Sequence, residues 1–178
     1  ETGDEYNYSY TKEQVMEEST AYMITDILID AYGGKGVSGT QIAGKTGTTN
    51  LDSDTKDRYK LPGGAVMDAW IVSYSPSYSI ALWYGYDEIS NQYFNSSGTP
   101  KDNLMAAIMR CIPVTTEPFK QPSSVVAAQV EAETWPAMKP SKYTLPSMIM
   151  TEYFISGTEP TEESPRFQKL QDVTNLKA

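Results

Sequence analysis

The run best suited to chemistry in this 178-residue chain is Lys45-Thr46-Gly47-Thr48. Two kinds of site use such residues. A glycine-rich loop that opens a helix cradles phosphates through a nest of backbone N–H groups. Gly39-Thr40-Gln41-Ile42-Ala43-Gly44-Lys45-Thr46 satisfies G-x-x-x-x-G-K-T letter for letter. A strand carrying Lys-Thr-Gly instead offers an ammonium for positive potential and hydroxyls that donate to a carboxylate. Its glycine lets a substrate backbone approach closely, and its edge can pair with an extended peptide. Context separates the two. A phosphate loop needs an apolar strand before it and a helix directly after it. Gly33-Gly34-Lys35-Gly36-Val37-Ser38 is no buried strand, and Gly47 to Asp54 does not open a helix. The strand reading is therefore preferred. On a flat strand Lys45 and Thr46 point to opposite faces. Both serve one cleft only where the cleft runs along the strand's edge or the strand twists strongly.

Composition removes other chemistries. The chain has no histidine, so no Ser-His-Asp or His-ligated zinc site forms within it. Cys111 is its one thiol, which excludes an internal disulfide and a cysteine-rich metal site. No cofactor and no metal are expected. The formal net charge of −9 repels phosphate backbones, so nucleic acid is not an expected partner. Thirteen tyrosines and three tryptophans point to a folded chain. No stretch approaches ~20 apolar residues. Glu1-Thr2-Gly3-Asp4-Glu5 lacks the basic start of an export signal, so a signal or anchor is expected outside this chain.

The elements that must position the motif follow from spacing. Met16, Met23, Ile24, Ile27, Leu28 and Ala31 recur at helical intervals and predict one buried face. Thr11 and Gln14 fit a capping box that starts this helix near Lys12, and a start at Glu17 or Glu18 fits equally. Gly33-Gly34 ends it. Gln41 to Thr48 is predicted as a small-residue strand, and Asn50 to Gly64 as a polar loop. Met67–Tyr74 and Tyr78–Tyr86 are strand-like runs joined by Ser75-Pro76-Ser77, which predicts a β-hairpin. A second helix is expected over Lys101–Cys111 behind Pro100, with Leu104, Ala107, Ile108 and Cys111 on one face. Eight of the 11 prolines fall in the last 66 residues, which disfavours long helices and central strands there. A boundary is placed near Pro113, dividing residues 1–112 from a proline-rich extension, 113–178. Ser123 to Val130 is a possible strand, and the acidic end from Ser156 is expected to be mobile. The fold class is α+β, an antiparallel sheet of motif strand plus hairpin flanked by helices.

These residues carry a resemblance that runs in order over most of the chain. Ile42-Ala43-Gly44-Lys45-Thr46-Gly47-Thr48-Thr49, then Asp68-Ala69-Trp70, then Leu82-Trp83-Tyr84-Gly85-Tyr86-Asp87 resembles class A penicillin-binding proteins. Upstream, Val15-Met16, Thr20-Ala21-Tyr22-Met23 and Asp26-Ile27-Leu28 are similar to the helix that precedes the motif in that family. Downstream, Glu152 to Pro160 resembles a segment near its C-terminus.

The resemblance implies the C-terminal half of a transpeptidase domain, a D,D-transpeptidase that cross-links peptidoglycan stem peptides and is acylated by β-lactams. It implies that Lys45 is the lysine of the proton network and that Thr46 and Thr48 bind the substrate carboxylate. Gly47 leaves room for the substrate backbone, and the Thr48 N–H supplies half of an oxyanion hole. The family's nucleophile lies in a Ser-x-x-Lys and its partner in a Ser-x-Asn. No Ser-x-Asn occurs here. Ser9-Tyr10-Thr11-Lys12 spells Ser-x-x-Lys but reads as polar residues leading into a helix. The nucleophile is therefore expected on an upstream segment, the chain alone is expected to be inactive, and that segment is its expected partner. The implied location is the outer face of a bacterial cell membrane. A non-catalytic penicillin-recognising sensor, a degenerate binding module and a D,D-carboxypeptidase remain alternatives. Trp70 and Trp83 are expected to pack together across the hairpin, Cys111 to be buried, and Glu159 to Glu163 to be solvated. Asn95-Ser96-Ser97 matches a glycosylation sequon, a common chance match.

Overall fold

A computed structural model describes residues 9–32, 39–95, 100–112 and 116–167. Two compact units make up the chain, one of Tyr22–Gln121 and one of Glu1–Ala21 with Pro122–Ala178. The Gly33-Gly34 stop, the boundary at Pro113, and Ser96 and Ser97 of the sequon lie outside the described residues.

Helix α1 spans Glu18–Tyr32, the later of the two starts the sequence allows. The capping box near Lys12 is not formed, and Gln14 Nε2 donates to the Met16 carbonyl instead. The buried positions correct the apolar stripe. Ser19, Thr25 and Tyr32 turn inward while Met16, Ile24 and Ile27 are exposed. Partner geometry outweighs side-chain polarity here, because the Thr25 hydroxyl shares a 2.9 Å hydrogen bond with Tyr74 Oη.

The larger unit is an antiparallel sheet in the order β1 (Ala43–Asn50), β2 (Ala65–Tyr74), β3 (Ser79–Gly85), with a two-residue strand β4 (Phe94–Asn95) added to β2. The expected hairpin is β2–β3. Its turn closes because Ser75 N donates to the Tyr78 carbonyl at 2.8 Å. Ser75 Oγ accepts from the Ser77 and Tyr78 N–H groups, so one hydroxyl holds the turn. Between β1 and β2 the expected loop is interrupted by helix α2 (Ser53–Tyr59). Asp52 caps it, accepting from Thr55 N at 2.8 Å and from Thr55 Oγ1 at 3.0 Å. Lys60 then ends it in the left-handed region. Asp52 followed three residues later by Thr55 was the available signal, and the polar composition hid it.

Helix α3 (Pro100–Cys111) covers one sheet face. Its inward residues are Met105 and Met109, four apart, whereas Leu104 and Cys111 are exposed. This corrects both the predicted stripe and the buried thiol. The predicted face lies about a quarter-turn away, since each residue advances a helix by roughly 100°. Tyr32, Ile42, Ile71, Met105 and Met109 form the core, with Ile80 and Leu82 packed against it. The α+β expectation, an antiparallel sheet flanked by helices, is borne out in this unit.

In the smaller unit β5 (Val125–Glu131) pairs antiparallel with β6 (Ile149–Ile155). The segment after Ser156 is not loose over its described length. Ser156 N donates to the Ser124 carbonyl, Lys139 N to the Glu162 carbonyl and Ser164 N to the Lys139 carbonyl. Hydrogen bonding with the β5–β6 region overrides the acidic composition there.

Candidate functional site

The motif lies on β1, an edge strand whose pairing runs along one side only. Lys45 is opposite Val72, Thr46 opposite Ile71, Gly47 opposite Trp70 and Thr48 opposite Ala69. The other edge of β1 has no strand beside it among the described residues. This resolves the geometric condition set by alternation. Lys45 and Thr46 do face opposite sides of the sheet, and the free edge between them is what they share. A phosphate loop is excluded by the same fact, since Lys45 and Thr46 are paired strand residues and no helix opens at them.

Burial along β1 changes abruptly. Ala43 and Gly44 are buried, Thr46 is half-buried, and Lys45, Gly47, Thr48, Thr49 and Asn50 are exposed. Lys45 Nζ donates to the Thr46 carbonyl at 3.1 Å, and no carboxylate pairs with it among the described residues. The ammonium is thus available to an anion.

The two motif glycines do different things. A Cβ at Gly44 would collide with Tyr32 Cδ2 and stand 2.9 Å from both Tyr32 Cε2 and the Val72 carbonyl oxygen. A Cβ at Gly47 would meet only Trp70 Cβ, at an ordinary 3.6 Å. Internal packing therefore requires glycine at 44 and not at 47. Behind the strand, burial raises the Tyr32 phenol above its ordinary pKa, with the Ser73 hydroxyl opposing and the Asp102 charge adding to the rise. Ser73 Oγ itself donates to Met105 Sδ at 3.4 Å.

On the Lys45 face the sheet is apolar and open. The register puts Val72 and Ala81 in line with Lys45, and Trp70 and Trp83 in line with Gly47. The two indoles pair as expected, with centroids 6.2 Å apart at 49°. Even so, Trp70 is 44% and Trp83 42% exposed. Asp68 Oδ1, on the same strand, is buried without a hydrogen-bond partner among the described residues.

No serine is set up as a nucleophile in the described residues. Ser9 lies in an exposed, irregular segment, and no helix starts until Glu18. A second Ser-x-x-Lys, Ser53-Asp54-Thr55-Lys56, escaped the sequence reading, and it does open a helix, α2. Ser53 is exposed, and Lys56 Nζ donates to the Gly63 carbonyl at 2.9 Å. That lysine is engaged elsewhere rather than with Ser53. No group of histidine, cysteine or carboxylate residues suited to a metal occurs among the described residues. No described helix is long and apolar enough to cross a membrane.

Known proteins resemble the chain along most of its length. Residues 4–110 match the family described as the penicillin binding protein transpeptidase domain. Residues 121–169 match that described as the C-terminal domain of penicillin-binding protein 1A. Penicillin-binding protein 1A/1B of Bacillus subtilis (strain 168) is 33% identical over 177 residues, covering 94% of this chain and 19% of that protein. Penicillin-binding protein 1A of Streptococcus oralis is 39% identical over 90 residues, 47% of this chain and 14% of the relative. Penicillin-binding protein 1A of Clostridium tetani is 29% identical over 166 residues, 86% of this chain and 19% of the relative. The chain spans about a fifth or less of the length of these relatives.

Proposed function

This chain belongs to the penicillin-binding protein transpeptidase family, in its class A branch, and from that membership we propose that it is the substrate-binding half of a serine D,D-transpeptidase. Its role is in peptidoglycan synthesis. On this reading a serine outside the chain attacks the stem peptide and forms an acyl-enzyme, which a second stem peptide resolves into a cross-link. A β-lactam is trapped at the same step. Residues 1–112 are the C-terminal half of the transpeptidase domain and 113–178 an extension. The protein acts at the outer face of the cell membrane, held by an anchor elsewhere in its sequence.

One observation carries the reading: among the described residues the motif occupies an edge strand with no strand on its other side, its ammonium has no carboxylate partner, and it has a glycine that internal packing does not need. The substrate lies along that edge as an added strand. Lys45 supplies positive potential to the carboxylate and to the proton transfers, and the Thr46 and Thr48 hydroxyls donate to the carboxylate. The Thr48 N–H is one of two donors to the developing oxyanion, worth ~2.7–4 kcal/mol in such sites.

The partner that completes the site is the upstream part of the same protein. The exposed Trp70, Val72 and Trp83 support this, as does the buried Asp68 Oδ1, which has no hydrogen-bond partner among the described residues. An apolar sheet face and an unsatisfied carboxylate oxygen are both unfavourable until something covers them.

Intact mass measurement of the full-length protein after incubation with a penicillin tests the assignment. A penicilloyl adduct mapped to a serine outside this chain is expected. An adduct on Ser9 or Ser53 would overturn the assignment of the nucleophile, and no adduct on folded protein would favour a non-catalytic sensor. Incubation with stem peptides then separates cross-linked dimers from the released D-alanine of a carboxypeptidase.

A further inference from the structure

We propose that Tyr32 is a positioning residue for the motif strand, its ring seated in the notch left by Gly44 so that Lys45 and the residues after it are held at the height the reaction needs. This inference rests on the functional reading above and concerns a residue outside the motif.

The geometry is specific. Among the described residues β1 pairs with a strand on one side only, so its ladder with β2 cannot by itself fix how far the strand tilts out of the sheet. From Lys45 onward the strand is exposed or half-buried, and Ala43 and Gly44 are its only buried residues. Gly44 is therefore where the strand is anchored from behind, immediately before the catalytic lysine. Tyr32 fills the space there and is 2% exposed. The ring is in turn held by the rest of the core. Met105 and Met109 of α3 pack in the same cluster, and the Thr25–Tyr74 hydrogen bond fastens α1, which carries Tyr32, to the end of β2. A displacement of about 1 Å at such a site can cost ~100-fold in rate. A rigid ring against a bare backbone transmits position because packed interiors yield little.

The test uses the full-length enzyme and a fluorescent penicillin, measuring the acylation rate constant together with the thermal midpoint. Gly44→Ala is expected to acylate at least ~10-fold more slowly while its far-UV spectrum and cooperative melt show folded protein. Tyr32→Ala should show a comparable loss. Tyr32→Phe, which keeps the ring, should stay within about twofold of the wild type because its shape is conserved. The double variant Gly44→Ala with Tyr32→Ala should be less impaired than the product of the two single effects, because both act on the Tyr32–Gly44 contact, while the Val72 carbonyl stays close to the added methyl in either background. Folded Gly44→Ala or Tyr32→Ala protein acylating at the wild-type rate, even with a lower midpoint, would overturn the inference and leave Tyr32 merely structural. A Tyr32→Phe variant as slow as Tyr32→Ala would overturn it too, by assigning the effect to the hydroxyl. Should the wild type itself not acylate, the functional reading fails, a result distinct from either of these.

Discussion

Thr144 Oγ1 donates to Glu131 Oε2 at 2.5 Å, and Ser164 Oγ donates to Oε1 of the same carboxylate at 2.8 Å. Glu131 is 1% exposed at the end of β5, and both hydroxyls come from segments without regular structure. The smaller unit is thus organised around one buried carboxylate whose two oxygens each tie down a loop. Glu131→Ala strands both hydroxyls, at a cost of about 1–3 kcal/mol for each donor left without an acceptor. Urea unfolding followed by far-UV circular dichroism checks this. Glu131→Gln, which keeps one acceptor oxygen, should lose less.

Asp52 gives a pH-dependent prediction for α2. The Thr55 N–H and hydroxyl hold its carboxyl below the ordinary value of 3.8. A depressed folded pKa means the cap stabilises fully above that ordinary value and is lost as pH falls through the lower folded one. Carbon-detected NMR titration should find Asp52 below the ordinary value of 3.8. Thr55→Ala, which removes the hydroxyl donor, should move it back up.

Gly47 and Gly44 should separate function from stability. Gly47→Ala meets only Trp70 Cβ at 3.6 Å, so its thermal midpoint should stay close to the wild type, within ~0.5 kcal/mol of stability. On the proposed function, penicillin acylation of the full-length protein should nonetheless fall by ~10-fold or more, because the added methyl would project into the path proposed for the substrate backbone. A substantial loss of stability without loss of acylation would contradict the open position of Gly47.

Trp70 and Trp83 report whether the Lys45 face is covered in the full-length protein. Hydroxyl-radical footprinting should oxidise both indoles readily in this chain alone, given their 44% and 42% exposure. Both should be markedly protected when the upstream part is present. Equal oxidation in the two samples would show that this face stays open.

Local pattern made parts of the fold legible. The β2–β3 hairpin was readable because alternating β-branched and aromatic residues flank Ser75-Pro76-Ser77, and a turn held by its own serine needs nothing remote. Other parts were not readable. The inward face of α1 is set by Tyr74 and Gly44, residues 42 and 12 positions beyond Thr25-to-Tyr32's end, and not by where its isoleucines fall. Cys111 and Leu104 turned outward because the core accepted Met105 and Met109 instead. Glu131 was invisible as a structural centre, since nothing near it in sequence marks the two hydroxyls that meet it.

The sequence by itself determined the chemistry available: an ammonium, hydroxyls and a glycine in one run, with no histidine and a single thiol. The family resemblance followed from the same residues, because order and spacing are properties of the chain. Only the tertiary structure decided what surrounds each residue. Gly44 and Gly47 stand three positions apart and read alike as letters. At 44 a tyrosine from another element occupies the place of a side chain, whereas at 47 a Cβ would meet only Trp70 Cβ at an ordinary distance and packing does not require glycine. The difference lies in what the fold brings alongside, and packing between distant segments is not written in local sequence.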